Sequence, residues 1–313
     1  MKKIFLLIVF ELVSTISFSD YLITRGPGVG EIYFVGPTYS GLALYRSIDF
    51  GQSIICMDSI NSGNMMAITA DKTQGIIYYT TMQGSLYFSD DYGIQNSWIF
   101  RHSGIGIPLC NSENIGFVFE HAASHSEDFG YNFITHPGNG AFGLFKEAEK
   151  GFGDDGYFMS YKDDVQDSLY LFITMNNFNN LELINVLNFQ WNNHIELTRG
   201  NTFGEIYLSN LSSKKIYFSS DFGLNFINTN HFNLDNDYSL EIIGGRQSGE
   251  LYLMYNFVNM GWQNAHIYIF HSTDYGVTFE VFHPFTKGEE PLLANFSATE
   301  KELPITSSVD FSN

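Results

Sequence analysis

Five carboxylates recur in one setting. Asp49, Asp91, Asp128, Asp221 and Asp274 each stand two residues after a serine and two before a glycine. The copies are Ser47-Ile48-Asp49-Phe50-Gly51, Ser89-Asp90-Asp91-Tyr92-Gly93, Ser126-Glu127-Asp128-Phe129-Gly130, Ser219-Ser220-Asp221-Phe222-Gly223 and Ser272-Thr273-Asp274-Tyr275-Gly276. Carboxylates so abundant would suit general acid and base work, or oxygen ligation of calcium. Arg25, Arg199 and Arg246, each just before a Gly-Glu pair, would suit a clamp on a substrate carboxylate, because a guanidinium offers parallel donors. His102, His136, His231 and His283 trail the repeated segments, and His125 and His271 precede them; imidazoles that converged would bind zinc. All three chemistries require convergence on one point. A geometry repeated once per structural unit serves each unit separately, so these residues read first as structural, and no metal site or cofactor is expected.

The elements that position them repeat as well. An apolar residue follows three positions after the glycine at Ile54, Phe133, Phe226 and Phe279, and two residues late at Trp98. Before the boxes stand pairs of strand-like runs, such as Gly204-Glu205-Ile206-Tyr207-Leu208 with Lys215-Ile216-Tyr217-Phe218, rich in aromatic and β-branched residues. The gap between Gly130 and Gly223 is about double the others, and Thr174-Met175-Asn176-Asn177-Phe178 in its middle reads as a decayed sixth copy. Six copies at about 45 residues per step fall in the range of four-stranded propeller blades, with each box on the turn between third and fourth strands. No long segment has helical periodicity.

The Ser-x-Asp-aromatic-Gly segment resembles the Asp-box, or bacterial neuraminidase repeat, of sialidases, sortilin-type receptors and photosystem-assembly propellers. The resemblance implies an all-β, six-bladed β-propeller over residues 20–284, seven blades being the alternative. It implies structural roles for Ser47, Asp49, Gly51, Ser89, Asp91, Gly93, Ser126, Asp128, Gly130, Ser219, Asp221, Gly223, Ser272, Asp274 and Gly276. A sialidase would also carry an arginine triad, a Tyr-Glu nucleophile pair, an Asp acid/base and a Phe/Tyr-Arg-Ile-Pro segment near the N-terminus. That segment is missing. Arg25, Arg199 and Arg246 are expected to share one repeat position on the turn between first and second strands, with the boxes and away from the face that usually binds ligands. No catalytic residue is assigned.

Across 313 residues, 34 acidic against 15 basic side chains leave a net charge of −19, a field that repels nucleic acid and anionic membranes. With 30 Phe and 19 Tyr the chain has ample surface to bury, so disorder is excluded. Lys2 and Lys3, the apolar run from Ile4 to Phe10 and Ser17-Phe18-Ser19 read as a signal peptide over residues 1–19, hence a secreted or surface protein with no later membrane span. Cys56 and Cys110 fall two units apart, on an outer and an inner strand, and are expected to be buried and unbridged. Acid pairs Asp154-Asp155, Asp163-Asp164 and Glu289-Glu290 read as solvated loops. Residues 285–293 read as a linker, and 294–313 resemble the opening strands of a PKD domain, an immunoglobulin-like sandwich. Two strands cannot enclose such a core, so the propeller is expected to be a monomeric module of a longer chain.

The loops on the face opposite the boxes carry Tyr39, Trp191 and Trp262, where rings beside Asn and Gln suit a glycan or protein ligand. The expectation is a non-enzymatic recognition or scaffold protein. A sialidase-like glycoside hydrolase and a structural spacer are the alternatives.

Overall fold

The computed structural model describes residues 22–286 apart from 38–41, 61–64, 82, 105–109, 112–114, 117, 121–123, 136–144, 151–156, 164–167, 175–181, 189–194, 211–214, 232–237, 259–264 and 282–284. These residues form six antiparallel sheets. Sheet 1 contains β1 (Ile23–Arg25), β2 (Ile32–Pro37), β3 (Leu42–Ser47) and β4 (Ile55–Ile60); sheet 2 contains β5 (Met65–Ala70), β6 (Ile77–Thr81), β7 (Ser85–Ser89) and β8 (Ile99–Ser103). Sheet 3 is the shortest, with β9 (Cys110–Asn111), β10 (Val118–Glu120), β11 (Ser124–Ser126) and β12 (Ile134–Thr135). Sheet 4 contains β13 (Phe145–Lys150), β14 (Tyr157–Asp163), β15 (Ser168–Thr174) and β16 (Glu182–Asn188). Sheet 5 contains β17 (Ile195–Arg199), β18 (Ile206–Asn210), β19 (Lys215–Ser219) and β20 (Ile227–His231). Sheet 6 contains β21 (Tyr238–Gly244), β22 (Leu251–Val258), β23 (Ala265–Ser272) and β24 (Glu280–Val281), and β25 (Phe285–Thr286) also pairs with β23. The sixth sheet thus extends past Pro284, into the segment read as a linker.

Within each sheet consecutive strands are neighbours, and the first strand of each sheet contacts the first strand of the next, from β1 through β5, β9, β13 and β17 to β21 and back to β1. The sheets therefore radiate from a closed ring of inner strands. Second strands are sandwiched between neighbouring sheets, which is why Ile77–Thr81 and Ile206–Asn210 are buried at every position and read as continuous apolar runs rather than alternating ones. The fourth strand lies at the rim, and Ile99 and Phe100 of β8 are exposed.

The core is divided accordingly. One cluster joins Ile23, Ile32 and Phe34 of sheet 1 to Ile243, Tyr252 and Ile269 of sheet 6; another joins Tyr33 and Leu44 to Ile68 and Tyr79; a third joins Leu171 to Leu197 and Ile206. The trailing apolar residues of the boxes all enter these seams: Ile54, Trp98, Phe133, Phe226 and Phe279 each pack between their own sheet and the preceding one. Each such side chain contributes roughly 1.5–3 kcal/mol when fully buried, so the seams between sheets hold the ring together.

Candidate functional site

The five boxes sit on the turns between third and fourth strands, and their polar atoms are satisfied within the turn. Serine Oγ accepts from the backbone N–H of the box glycine at 2.8 Å in Ser47, 3.0 Å in Ser89, 2.9 Å in Ser126, 2.8 Å in Ser219 and 2.9 Å in Ser272. In four copies the same hydroxyl donates to the aspartate Oδ1, at 2.9 Å in Asp49, 2.8 Å in Asp128, 2.7 Å in Asp221 and 2.8 Å in Asp274. That oxygen also accepts a backbone N–H four residues on, from Ser53, Asn132, Asn225 and Thr278, whose side chains donate to Oδ2 at 2.6–2.7 Å. Sequence reading missed this polar residue, although Ser, Asn, Asn and Thr two places after the glycine formed the signal. Gln95 breaks the pattern in the second box. There Ser89 Oγ lies 2.6 Å from Ser97 Oγ and Asn96 takes φ 69°, which accommodates the late arrival of Trp98.

Electrostatics follow from these bonds. Burial, the largest single influence, pushes the carboxyls of Asp128, Asp221 and Asp274 up, but donors from Asn132, Asn225 and Thr278 and from the box serines together outweigh it and hold all three below the usual carboxylate range. They are turn anchors that stay ionised at neutral pH. Among the described residues no three His, Cys, Asp or Glu are grouped so as to hold a metal ion.

The box aromatic is the second component. Phe50, Tyr92, Phe129, Phe222 and Tyr275 all take φ between 55° and 64°, and the following glycines take φ between 72° and 93°. The aromatic N–H donates to the carbonyl of Gly30, Gly75, Gly116, Gly204 or Gly249 in the turn between first and second strands, at 2.7–2.9 Å. Both turns therefore share one face of the ring. In four of the five copies the aromatic ring then meets the preceding sheet at the residue before that sheet's box serine. Arg46 lies 4.1 Å over Tyr92, Phe88 is 5.8 Å from Phe129, Phe218 is 4.7 Å from Tyr275 and His271 is 5.1 Å from Phe50.

The last of these contacts joins sheet 6 to sheet 1. The chain is a β-propeller. Its closing seam carries further bonds: Glu241 Oε2 accepts from the Leu22 and Ile23 N–H groups at 2.6 and 3.1 Å, Arg25 donates to the Gly244 and Gly245 carbonyls, and Arg246 Nε donates to the Gly26 carbonyl at 2.8 Å. These bonds assign structural work to two of the three arginines.

No family model matches the chain, and no curated protein matches it. Similar solved structures are a GH74 enzyme from Niastella koreensis (11% identical, TM-score 0.49, covering 84% of this chain and 59% of that one) and a GH74 xyloglucanase from Xanthomonas campestris (12%, 0.47, 83% and 44%). YCF48 from Cyanidioschyzon merolae is a third (10%, 0.44, 83% of each chain). The chain spans little more than half the length of the first glycoside hydrolase and less than half of the second.

Several sequence expectations change in detail. Arg25 and Arg199 close their inner strands at one repeat position, but Arg246 falls two residues later within the turn; Gly244 holds the equivalent place, where a Cβ would meet the Arg199 carbonyl oxygen at 1.9 Å. The spacing to the Gly-Glu pair carries this two-residue offset, since Arg25 and Arg199 precede its glycine by five residues and Arg246 by three. Cys56 is exposed on the rim strand β4 rather than buried, because the fourth strand has no sheet outside it; Cys110 lies on inner strand β9 as expected. His125 and His271 are buried before their serines, and His102 packs edge-on against Phe133 at 5.1 Å on the rim. His231 ends β20, while His136 and His283 lie outside the described residues.

Thr174 ends β15 where other third strands end in serine, and the rest of the decayed box lies outside the described residues. Tyr39, Trp191 and Trp262 also lie outside them, on connections between β2 and β3, β16 and β17, and β22 and β23. Asp163 ends β14, whereas Asp154, Asp155, Asp164, Glu289 and Glu290 lie outside. Among the described residues no helix is long and apolar enough to cross a membrane.

Proposed function

We propose that this chain is a recognition or scaffold propeller of the Asp-box type, exported and part of a longer multidomain protein, which binds a glycan or protein ligand on the face opposite the boxes. One observation carries the non-enzymatic reading. The regularly spaced carboxylates that would first be suspected of catalysis are distributed one per sheet, and in four boxes both carboxylate oxygens already accept donors from their own turn. Arg25 and Arg246 are likewise committed to backbone carbonyls at the seam. Among the described residues the other two repeated positions of these kinds, Asp91 and Arg199, stand in different sheets. Ligand contacts then fall to the connections bearing Tyr39, Trp191 and Trp262, which start from the ends of strands away from the box turns.

The test is a glycan array probed with the full chain and with Trp262→Ala, beside an assay of fluorogenic sialosides and other glycosides. Binding by the full chain that falls at least about tenfold in the variant is the expected result. Turnover of any glycoside would replace this reading with the hydrolase one, and silence in both assays would leave a spacer.

A further inference from the structure

The face that carries the boxes has an unexpected surface. In sheets 1, 3 and 5 the tips of its two turns expose paired apolar side chains: Val29 (57% exposed) with Ile48, Ile115 (60%) with Tyr131, and Phe203 (66%) with Leu224. Tyr131 also lies under the Arg101 guanidinium, at 3.8 Å. The position held by Val29, Ile115 and Phe203 is taken by exposed Gln74 in sheet 2 and exposed Ser248 in sheet 6, each before a glycine with the same backbone. The position of Ile48 is Asp90, Glu127, Ser220 or Thr273 in the other boxes, and that of Tyr131 and Leu224 is Gln52 in the first but Ile94, 37% exposed, in the second and Val277 in the last. The box aromatics stay only partly buried, Tyr275 being 39% exposed, and Phe203 adds an edge-on contact to Phe222 at 4.7 Å. Single exposed apolar residues are ordinary, but six at turn tips of one face, each at a position where another sheet carries a polar residue, are not.

Negative charge lies between the apolar tips. Asp90, Asp91 and Glu127 are exposed, and the box aspartates add one carboxylate per turn. Since donors hold Asp128, Asp221 and Asp274 below the usual range, this charge persists at all but strongly acidic pH. With a chain of net charge −19, a second copy of the same face would be repelled, as would nucleic acid or an anionic membrane.

We propose that the box face is a docking surface for a basic segment of another protein, one that presents apolar side chains between its lysines or arginines. Apolar tips would supply the desolvated contacts, and the carboxylates around them would steer and orient the partner. This surface lies on the side of the ring opposite the ligand face proposed above, so the two stand or fall separately.

The experiment uses the full chain and a short peptide alternating lysine and leucine, with two comparison peptides of equal length: glutamate in place of lysine, and serine in place of leucine. Binding is read by fluorescence anisotropy at near-physiological salt. The expected result is binding of the lysine–leucine peptide alone, weakened about tenfold or more by Ile115→Ser with Tyr131→Ser, and separately by Asp90→Lys with Glu127→Lys, all on the neighbouring sheets 2 and 3. All four substituted side chains are exposed, so folding should survive; Ile55→Ser with Phe100→Ser, on the outer rim, should leave binding unchanged. Equal binding of the lysine–serine peptide, or loss in the rim variant, or no effect of the face substitutions, would overturn the proposal. Concentration-dependent self-association abolished by the face substitutions would overturn it in favour of a second copy.

Discussion

At the scale of single residues, the box glycine meets two demands at once. Gly223 takes φ +86°, and a Cβ there would stand 2.3 Å from Leu171 Cδ2 of the preceding sheet. Gly104, at the end of β8, takes φ +79° with nothing within 4 Å of the same added atom. Gly104→Ala should therefore cost about 1 kcal/mol of backbone strain, whereas Gly223→Ala should cost roughly 2 kcal/mol more, because Leu171 is packed in the seam. Chemical denaturation of both variants measures the difference, and equal losses would refute the packing argument. Acid behaviour follows from the aspartates. Their folded-state affinity for protons is depressed, so their contribution to stability is fully present above the ordinary carboxylate range near ~4 and is lost as pH falls through and below it. Glu250 behaves alike: burial raises its carboxyl, but His271, Tyr252 and the Gln247 and Arg246 N–H groups outweigh that and lower it. Asp221→Asn should flatten the decline in melting temperature below about pH 4 while mattering less to the slope above it.

At the scale of the element, the turn between first and second strands solves one problem in two ways. In sheet 5, Glu205 Oε2 accepts from the Thr202 N–H at 2.7 Å and Oε1 accepts from the Gly249 N–H of the next sheet at 2.8 Å. A Cβ on Gly200 would collide with that glutamate at 2.4 Å. In sheet 2 the carboxylate comes from the other end of the turn: Asp71 stands where Gly200 does, Ile76 where Glu205 does, and Asp71 accepts from the Thr73 N–H and from the Gly116 N–H of the next sheet, both at 2.8 Å. The same two bonds are made, one within the turn and one across the seam. Burial raises the Asp71 carboxyl, only partly opposed by those N–H groups. The exchange also strands a partner. Tyr207 donates to Glu205 in sheet 5, whereas the Tyr78 hydroxyl, facing Ile76, has no hydrogen-bond partner. Glu205→Ile should destabilise by about 1–3 kcal/mol through the unpaired Gly249 N–H, and adding Gly200→Asp should recover most of the loss. A double variant no better than the single would show the two turns are not interchangeable. The sequence held both halves of this exchange, but the Gly-Glu pattern concealed it, since Asp71 and Ile76 match neither member of the pair.

At the scale of the whole molecule, the ring closes between its first and last sheets with no strand exchanged among the described residues. β1 pairs only within sheet 1, so closure rests on the apolar seam and on Glu241, Arg25, Arg246 and His271. Glu241→Ala leaves the Leu22 and Ile23 N–H groups without this acceptor, and β1 should then exchange its amide hydrogens faster than in the unsubstituted chain while β17 exchanges as before. Uniform acceleration in all sheets would instead mean that the ring opens as one unit. The all-β class, the sheet-by-sheet repeat and the place of each box at the end of a third strand were legible in sequence, because a local turn has a local signature: hydroxyl, carboxylate and glycine within five residues. Which sheet a side chain serves was not. The stacking of His271 on Phe50, the capping of β1 by Glu241 and the exposure of Cys56 join or separate residues far apart along the chain. Only the closed ring, which sets the last sheet beside the first and leaves every fourth strand at the rim, decides such contacts.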